Sequence, residues 1–222
     1  ITFNTFGGLL AFKGAAPNRQ NGLLVTATGG NNLARTNVFS GNLGNGIEIS
    51  GSARGMTVDP NLVGLNTKGD GPLRNGKNGV LVTGNAHNNT IGGNRTSVIP
   101  QNAFSGNVGY GLVFSGNANR NLVYNTFIGT EVAKTLPVPN LKGGILIADR
   151  AHNNYVGARG SQKLNVIAGN IGFGVTLTSK THDNSVIKNK IGKGRVGLPV
   201  PNTKGTVSNK GKRNKVVRND TN

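Results

Sequence analysis

The stretch that decides the fold runs from Asn37 to Ser52, NVFSGNLGNGIEISGS; it returns as NAFSGNVGYGLVFSGN from Asn102 to Asn117 and as NVIAGNIGFGVTLTSK from Asn165 to Lys180. Each copy holds a short apolar run, a turn written in Ser, Gly and Asn, and a second apolar run entered through Gly. Outward from these copies the Gly-entered run recurs along the chain: GLLVT at Gly22, GIEIS at Gly46, GVLVT at Gly79, GLVFS at Gly111, GILIA at Gly144, GVTLT at Gly174 and GTVS at Gly205, with spacings of 24, 33, 32, 33, 30 and 31 residues. A period of this length marks a repeat architecture.

Each Gly-entered run is followed by a turn and a second short run, as in AHNNTIGG, ANRNLV, AHNNYVGA, THDNSVI and GKRNKVV. A third run opens on Asn, at Asn37, Asn61, Asn102, Asn125, Asn165 and Asn189. Longer insertions alternate in place: NTKGDGPLRNGK, TEVAKTLPVPNLK and KGRVGLPVPNTK follow the third run, whereas GNRTSVIPQ and ARGSQKL precede it. Two turns of chain therefore form a larger unit of roughly 64 residues. The prediction is an all-β solenoid with about seven rungs and three short strands per rung, occupying residues 1–222 as a single domain. One rung cannot bury its apolar face alone; stacking at about 4.8 Å per rung makes one continuous core.

Composition agrees. The 36 glycines argue against helices and for dense turns. Ile47, Ile49, Val80, Val82, Leu112, Phe114, Ile145 and Ile147 are predicted to point inward. Asn89, Asn121, Asn154, Asn184 and Asn214 fall in register and should hydrogen-bond up and down the stack, satisfying turn backbone that would otherwise be buried unpaired. The motifs NxxSGNxGxGIxIxG, NNTIGG and NTFIGT resemble the right-handed parallel β-helix repeats of the pectate-lyase-like superfamily, from Asn4 to about Asn219. That resemblance implies a right-handed helix of the kind carried by many secreted and surface proteins; it leaves function open, because the scaffold hosts lyases, hydrolases, tailspikes and adhesins.

Lys and Arg number 25 against seven Asp and Glu, a formal charge of +18. Such a balance points to an anionic partner, an acidic polysaccharide or an acidic protein surface. Nucleic acid fits the charge but not the 5% of aromatic residues, which no recognised binding motif interleaves with the basic ones. No apolar run approaches the roughly 20 residues of a membrane helix. Eleven of the basic residues follow residue 179, and Lys77, Lys142 and Lys204 recur just before a Gly-entered run, two rungs apart each time. The predicted binding residues are Lys77, Lys142 and Lys204 on this ridge, with Lys210, Lys212, Arg213, Lys215 and Arg218 in the C-terminal block.

Catalysis on this scaffold would need paired acids within about 5 to 10 Å. The candidates are Glu48 and Asp149, placed three rungs and about 14 Å apart, too far to cooperate, so the sequence favours a binding module over an enzyme. A polysaccharide lyase or hydrolase is the alternative. His87, His152 and His182 share one turn position, with Arg54 and Asn119 on other rungs; His152, His182 and the neighbouring Asp183 are the candidate metal ligands, although a polar turn accepts such residues without one. No cofactor is predicted. The outward positions of the first run, Leu24, Glu48, Leu81, Val113, Leu146, Thr176 and Val207, are mostly apolar, which marks Leu24, Leu81, Val113 and Leu146 as a candidate interface. Thr26, Ser50, Thr83, Ser115 and Thr178 form a hydroxyl ladder beside them. The chain opens at ITFNTFGG as if within a strand, and neither end carries a capping signal. The expectation is a secreted or cell-surface segment that lacks its end caps, or a subunit that stacks into a homo-oligomer or fibre.

Overall fold

A computed structural model describes residues 1–7, 15–27, 30–93, 101–132, 136–160 and 163–221. Every strand among them belongs to one of three parallel sheets, in the order predicted. The first-strand sheet stacks Leu23–Val25, Ile47–Ile49, Val80–Val82, Tyr110–Phe114, Gly143–Ile147, Phe173–Leu177 and Gly205–Asn209. The second-strand sheet runs from Asn32–Ala34 to Lys215–Val217, and the third from Thr5–Phe6 to Asp220–Thr221. Successive strands of one sheet are always one rung apart, and the path is that of a right-handed parallel β-helix.

Strand alternation builds the interior. Ile47, Ile49, Val80, Val82, Leu112, Phe114, Ile145 and Ile147 have no solvent exposure and pack with Phe39, Phe104, Ile128 and Ile167 in one continuous core. Three ladders of asparagine, buried except at the ends of the solenoid, line its corners. The predicted one, Asn89 through Asn214, runs side chain to side chain at 2.9–3.1 Å. A second opens the third strands at Asn4, Asn37, Asn61, Asn102, Asn165, Asn189 and Asn219. A third, not singled out from the sequence, joins Asn42, Asn75, Asn107, Asn140, Asn170 and Asn202 at 2.9 Å per step. Ladder side chains accept an N–H from one rung and donate to backbone or to the next asparagine, so corner backbone too deep for water is satisfied, with the second ladder interrupted at Thr126.

Two register assignments need correction. Asn102 pairs with Thr126, not Asn125, so Thr126 replaces asparagine in the second ladder; Asn125 precedes the strand at φ 52° and donates its side-chain N–H to Gly93 O. At the last rung Gly205 pairs with Phe173, and Val207 pairs with the buried Val175. Val207 therefore faces the core and Ser208 takes the outward column. Aligning the Gly-entered runs glycine to glycine misplaces this strand by one residue, which exchanges its two faces.

The two-rung unit is present in three dimensions. The insertions after the third strand are each closed by an antiparallel bridge: Leu65 to Pro72, Thr130 to Pro137 and Lys193 to Pro199. They cover the outer face of the third-strand sheet, where Val38, Leu62, Leu65, Ala103, Phe127, Val138 and Val166 form a second apolar cluster outside the solenoid. Part of GNRTSVIPQ, residues 94–100, lies outside the described residues, as do 133–135 and 161–162 of the other insertions.

Candidate functional site

The predicted lysine ridge exists as a backbone-bonded column. Lys77 N donates to Gly44 O, Gly109 N to Lys77 O, Lys142 N to Gly109 O and Lys204 N to Gly172 O. Lysine thus alternates with glycine, and Lys77, Lys142 and Lys204 are all exposed. Two rungs separate successive lysines, about 10 Å. In the next column, one residue along each rung, aromatic rings fill the alternate places. Tyr110 pairs with Gly143 and Phe173 with Gly205. A Cβ on Gly143 would lie 2.9 Å from the Tyr110 ring, and one on Gly205 would lie 3.7 Å from that of Phe173. Each ring thus leans over the glycine that directly follows Lys142 or Lys204, and that glycine is what leaves room for it. The resulting order along the face is Lys77, Tyr110, Lys142, Phe173, Lys204. Sequence reasoning found the lysines but missed the rings, because each ring belongs to the rung between two lysines; the signal available was the alternation of NG, YG, GG, FG and GT at the strand entries.

The strand face beside this column carries the expected apolar residues unevenly. Leu24 is half exposed, Leu81 and Leu146 are partly buried, and Val113 is 5% exposed, so the row is not one continuous apolar stripe. Beyond it, Ser115 Oγ donates to Thr83 Oγ1 at 2.9 Å; Ala148 then interrupts the hydroxyl column before Thr178 and Lys210.

The C-terminal basic block is divided among faces. Lys210 ends the hydroxyl column. Lys212 extends the histidine column, which reads Arg54, His87, Asn119, His152, His182, Lys212 in bridge-paired order. Lys215 and Arg218 join Arg159 and Lys188 around a depression of about 640 Å³ on the second-strand face, where the Arg159 guanidinium lies 4.0 Å from the centre of the Tyr155 ring. Arg213 faces the neighbouring turn, its Nε and Nη2 2.8 and 2.7 Å from the two carboxylate oxygens of Asp183.

That pairing bears on the candidate metal ligands. The rings of His152 and His182 stack with centroids 4.9 Å apart and planes 9° from parallel. Nδ1 of His152 meets Arg150 O at 2.9 Å, and Nδ1 of His182 meets Asp183 Oδ2 at 2.7 Å. Hydrogen bonds from the Arg213 guanidinium, and then from His182, hold the Asp183 carboxyl well below the usual carboxylate range. Stacked rings direct their ring nitrogens side by side and not toward a common point, and among the described residues no three His, Asp or Glu side chains gather as a metal set. The column presents cations and π faces.

The candidate acids do not meet. Glu48 lies on the strand face in the same column as Leu81, with Oε2 accepting from Asn21 and Asn45 at 2.9 and 3.2 Å. Asp149 lies three rungs on, in the turn beyond the strand, and its Oδ2 accepts from Gly116 N at 3.0 Å. Asp59 is buried on the second-strand side, where burial first and the Asp59 charge second push the Tyr124 phenol up. Asp59 directly follows Met56–Val58, the second strand of Glu48's rung, and so lies on a different sheet from Glu48.

No curated protein and no solved structure matches the chain. The family described as "Right handed beta helix region" matches residues 16–159. That match covers well over half of the 222 residues, and the three sheets continue beyond it to Thr221. The chain therefore belongs to the right-handed β-helix family.

Proposed function

We propose that this chain is a non-catalytic binding module of a secreted or surface-exposed protein, and that its first-strand face holds an anionic polysaccharide along the solenoid axis. The observation that carries this reading is the interleaving of Lys77, Lys142 and Lys204 with Tyr110 and Phe173. A sugar ring offers an electropositive C–H face to an aromatic π face, and carboxylate or sulfate groups on the same polymer accept charge-assisted hydrogen bonds from lysine. A repeat of about 10 Å lets one chain meet several such pairs. Individually weak contacts then add through effective concentration.

The test is binding to polygalacturonate and to a heparin-like sulfated glycan, with a neutral glucan and single-stranded DNA as competitors. Replacing Lys77, Lys142 and Lys204 together by Gln should weaken glycan binding at least tenfold, and the pair Tyr110→Ala and Phe173→Ala should weaken it further while added salt removes only the lysine contribution. Unchanged affinity in both variants refutes the reading. Preferential binding of single-stranded DNA would transfer the face to nucleic acid, where bases stack on the same rings. Release of new glycan ends that disappears in Glu48→Gln or Asp149→Asn would make the protein a processing enzyme.

A further inference from the structure

The corner between the third and first strands carries another exposed column, one residue before the lysines. Its members directly follow the asparagines of the third ladder: Leu43, Gly76, Val108, Leu141, Ile171 and Thr203. Each of their backbone N–H groups donates to an asparagine carbonyl one rung earlier, as Val108 N does to Asn75 O at 3.1 Å and Leu141 N to Asn107 O at 3.0 Å. Successive members therefore stand about 4.8 Å apart. Leu43 is 59% exposed, Val108 37%, Leu141 37% and Ile171 44%.

Nothing in the fold asks for aliphatic residues here. The backbone bonds form with any side chain, since Gly76 and Thr203 make them too. Large aliphatic side chains held in water along one edge are unfavourable to the free protein, and such a patch marks an interaction surface. The patch widens on the side away from the lysines, into a depression of about 440 Å³ lined by Leu136, Pro137, Val196, Leu198 and Pro199. Gly169, two residues before Ile171, completes its wall, and among the described residues no charged side chain lines it. On the other side Lys77, Lys142 and Lys204 directly follow Gly76, Leu141 and Thr203. No Asp or Glu stands in the aliphatic, lysine or aromatic columns. Glu48, on the strand face beyond them, is held by Asn21 and Asn45.

Shape and charge together select the occupant. A second copy seated on this corner would bring lysine against lysine. An anionic lipid surface offers phosphate groups to the lysines and an acyl boundary that yields around a projecting aliphatic ridge. We infer that the chain docks lengthwise on such a surface through this corner. Leu43, Val108, Leu141 and Ile171 enter the acyl boundary, the lysines meet the headgroups, and the depression beside Ile171 receives the side of an acyl chain. The lysines are shared with the polysaccharide reading, so lipid and glycan compete for them. The aliphatic ridge serves the lipid alone and the Tyr110 and Phe173 rings serve the glycan, so the two readings stand or fall separately.

The experiment is cosedimentation of the intact chain with vesicles of phosphatidylcholine, alone or mixed with phosphatidylglycerol. The mixed vesicles should bind at least tenfold more tightly. Leu43→Ser, Leu141→Ser and Ile171→Ser combined should weaken binding to them at least fivefold and leave polygalacturonate binding as in the native chain. Tyr110→Ala with Phe173→Ala should do the reverse. The chain has no cysteine, so Leu141→Cys can carry a single polarity-sensitive fluorophore. Its emission should shift to the blue when mixed vesicles are added, and the same label at Asn85→Cys, in the turn between first and second strands, should not respond. The inference is overturned if mixed vesicles bind no tighter than phosphatidylcholine alone or if the triple Ser variant binds them normally. It is equally overturned if the Leu141 label shifts on concentrating the protein without lipid, which would assign the ridge to a second copy. Should the triple Ser variant fail to fold, the two labelled chains and the two vesicle compositions still decide the matter.

Discussion

Asn75, Asn140 and Asn202 each stand two residues before Lys77, Lys142 and Lys204, yet the two columns obey different rules. The asparagine column repeats at every rung, through Asn42, Asn75, Asn107, Asn140, Asn170 and Asn202, and is buried throughout. The lysine column starts at Gln20 and then carries lysine at every second rung, with glycine between. Buried backbone must find a hydrogen-bond partner at each rung, so no rung is free to change its corner residue. The exposed lysine positions are under no such demand, whereas the glycines between them are buried. What is written there, lysine on one rung and an aromatic ring beside the next, is free to serve a ligand whose groups recur at twice the rung spacing.

The sharpest way to break this contrast is to exchange the two columns' treatment. Asn140 accepts from Asn107 N and Nδ2 at 3.0 and 2.9 Å and donates to Phe104 O and Asn170 Oδ1 at 2.9 Å each. Asn140→Ala leaves the Asn107 amide without its acceptor in a dry corner and should cost about 2–4 kcal/mol in urea unfolding. Lys142→Gln, two residues away, should leave the same unfolding midpoint within ~0.5 kcal/mol. Equal costs at the two positions would show that the exposed column also holds the fold.

A smaller effect separates the faces of the last first strand. Val207→Asp places a charge against the core and should cost about 2 kcal/mol, whereas Ser208→Asp on the outward column should change stability by no more than ~0.5 kcal/mol. The opposite order would restore the glycine-to-glycine alignment and shift that strand by one residue.

The smallest effect belongs to the exposed pair Asp183 and Arg213. The Asp183 carboxyl titrates below its ordinary value, so its contribution is present above the unfolded value of about 4 and is lost as pH falls below that toward the depressed folded value. The difference in unfolding midpoint between the native chain and Asp183→Asn should therefore be present at neutral pH, shrink below about pH 4, and diminish in high salt because the groups face solvent. A difference that persists unchanged into strong acid would mean that Asp183 acts through packing and not through its charge.

Most of the fold was legible because stacking converts a linear period into columns. Once Gly46, Gly79, Gly111, Gly144 and Gly174 are aligned, the inward residues, the ladder from Asn89 to Asn214, the histidine column and the lysine ridge all follow, and the sheets contain each of them. Legibility failed where the period changed by one residue. Thr126 and Ser208 sit in columns that a motif assigns to Asn125 and Val207, because side-chain alternation and pairing with the neighbouring strand decide register there, and the position of a glycine or asparagine does not.

The candidate sites show the same division. A run of eleven basic residues after residue 179 reads as one patch, but a solenoid turns through three faces in about 30 residues, and the run is dealt out to the hydroxyl column, the histidine column and the second-strand depression. The linear sequence by itself determined the β-helix, its rung count and its core, since these depend on a repeated pattern of burial and turn residues. Only the tertiary structure decided that Tyr110 and Phe173 stand between lysines from other rungs, that His152 and His182 stack, and that Leu136 joins Val196 and Leu198 around one depression. Those groupings join residues about 30 to 60 positions apart, where proximity is set by the 4.8 Å rise and the register of each rung, neither of which a local motif contains.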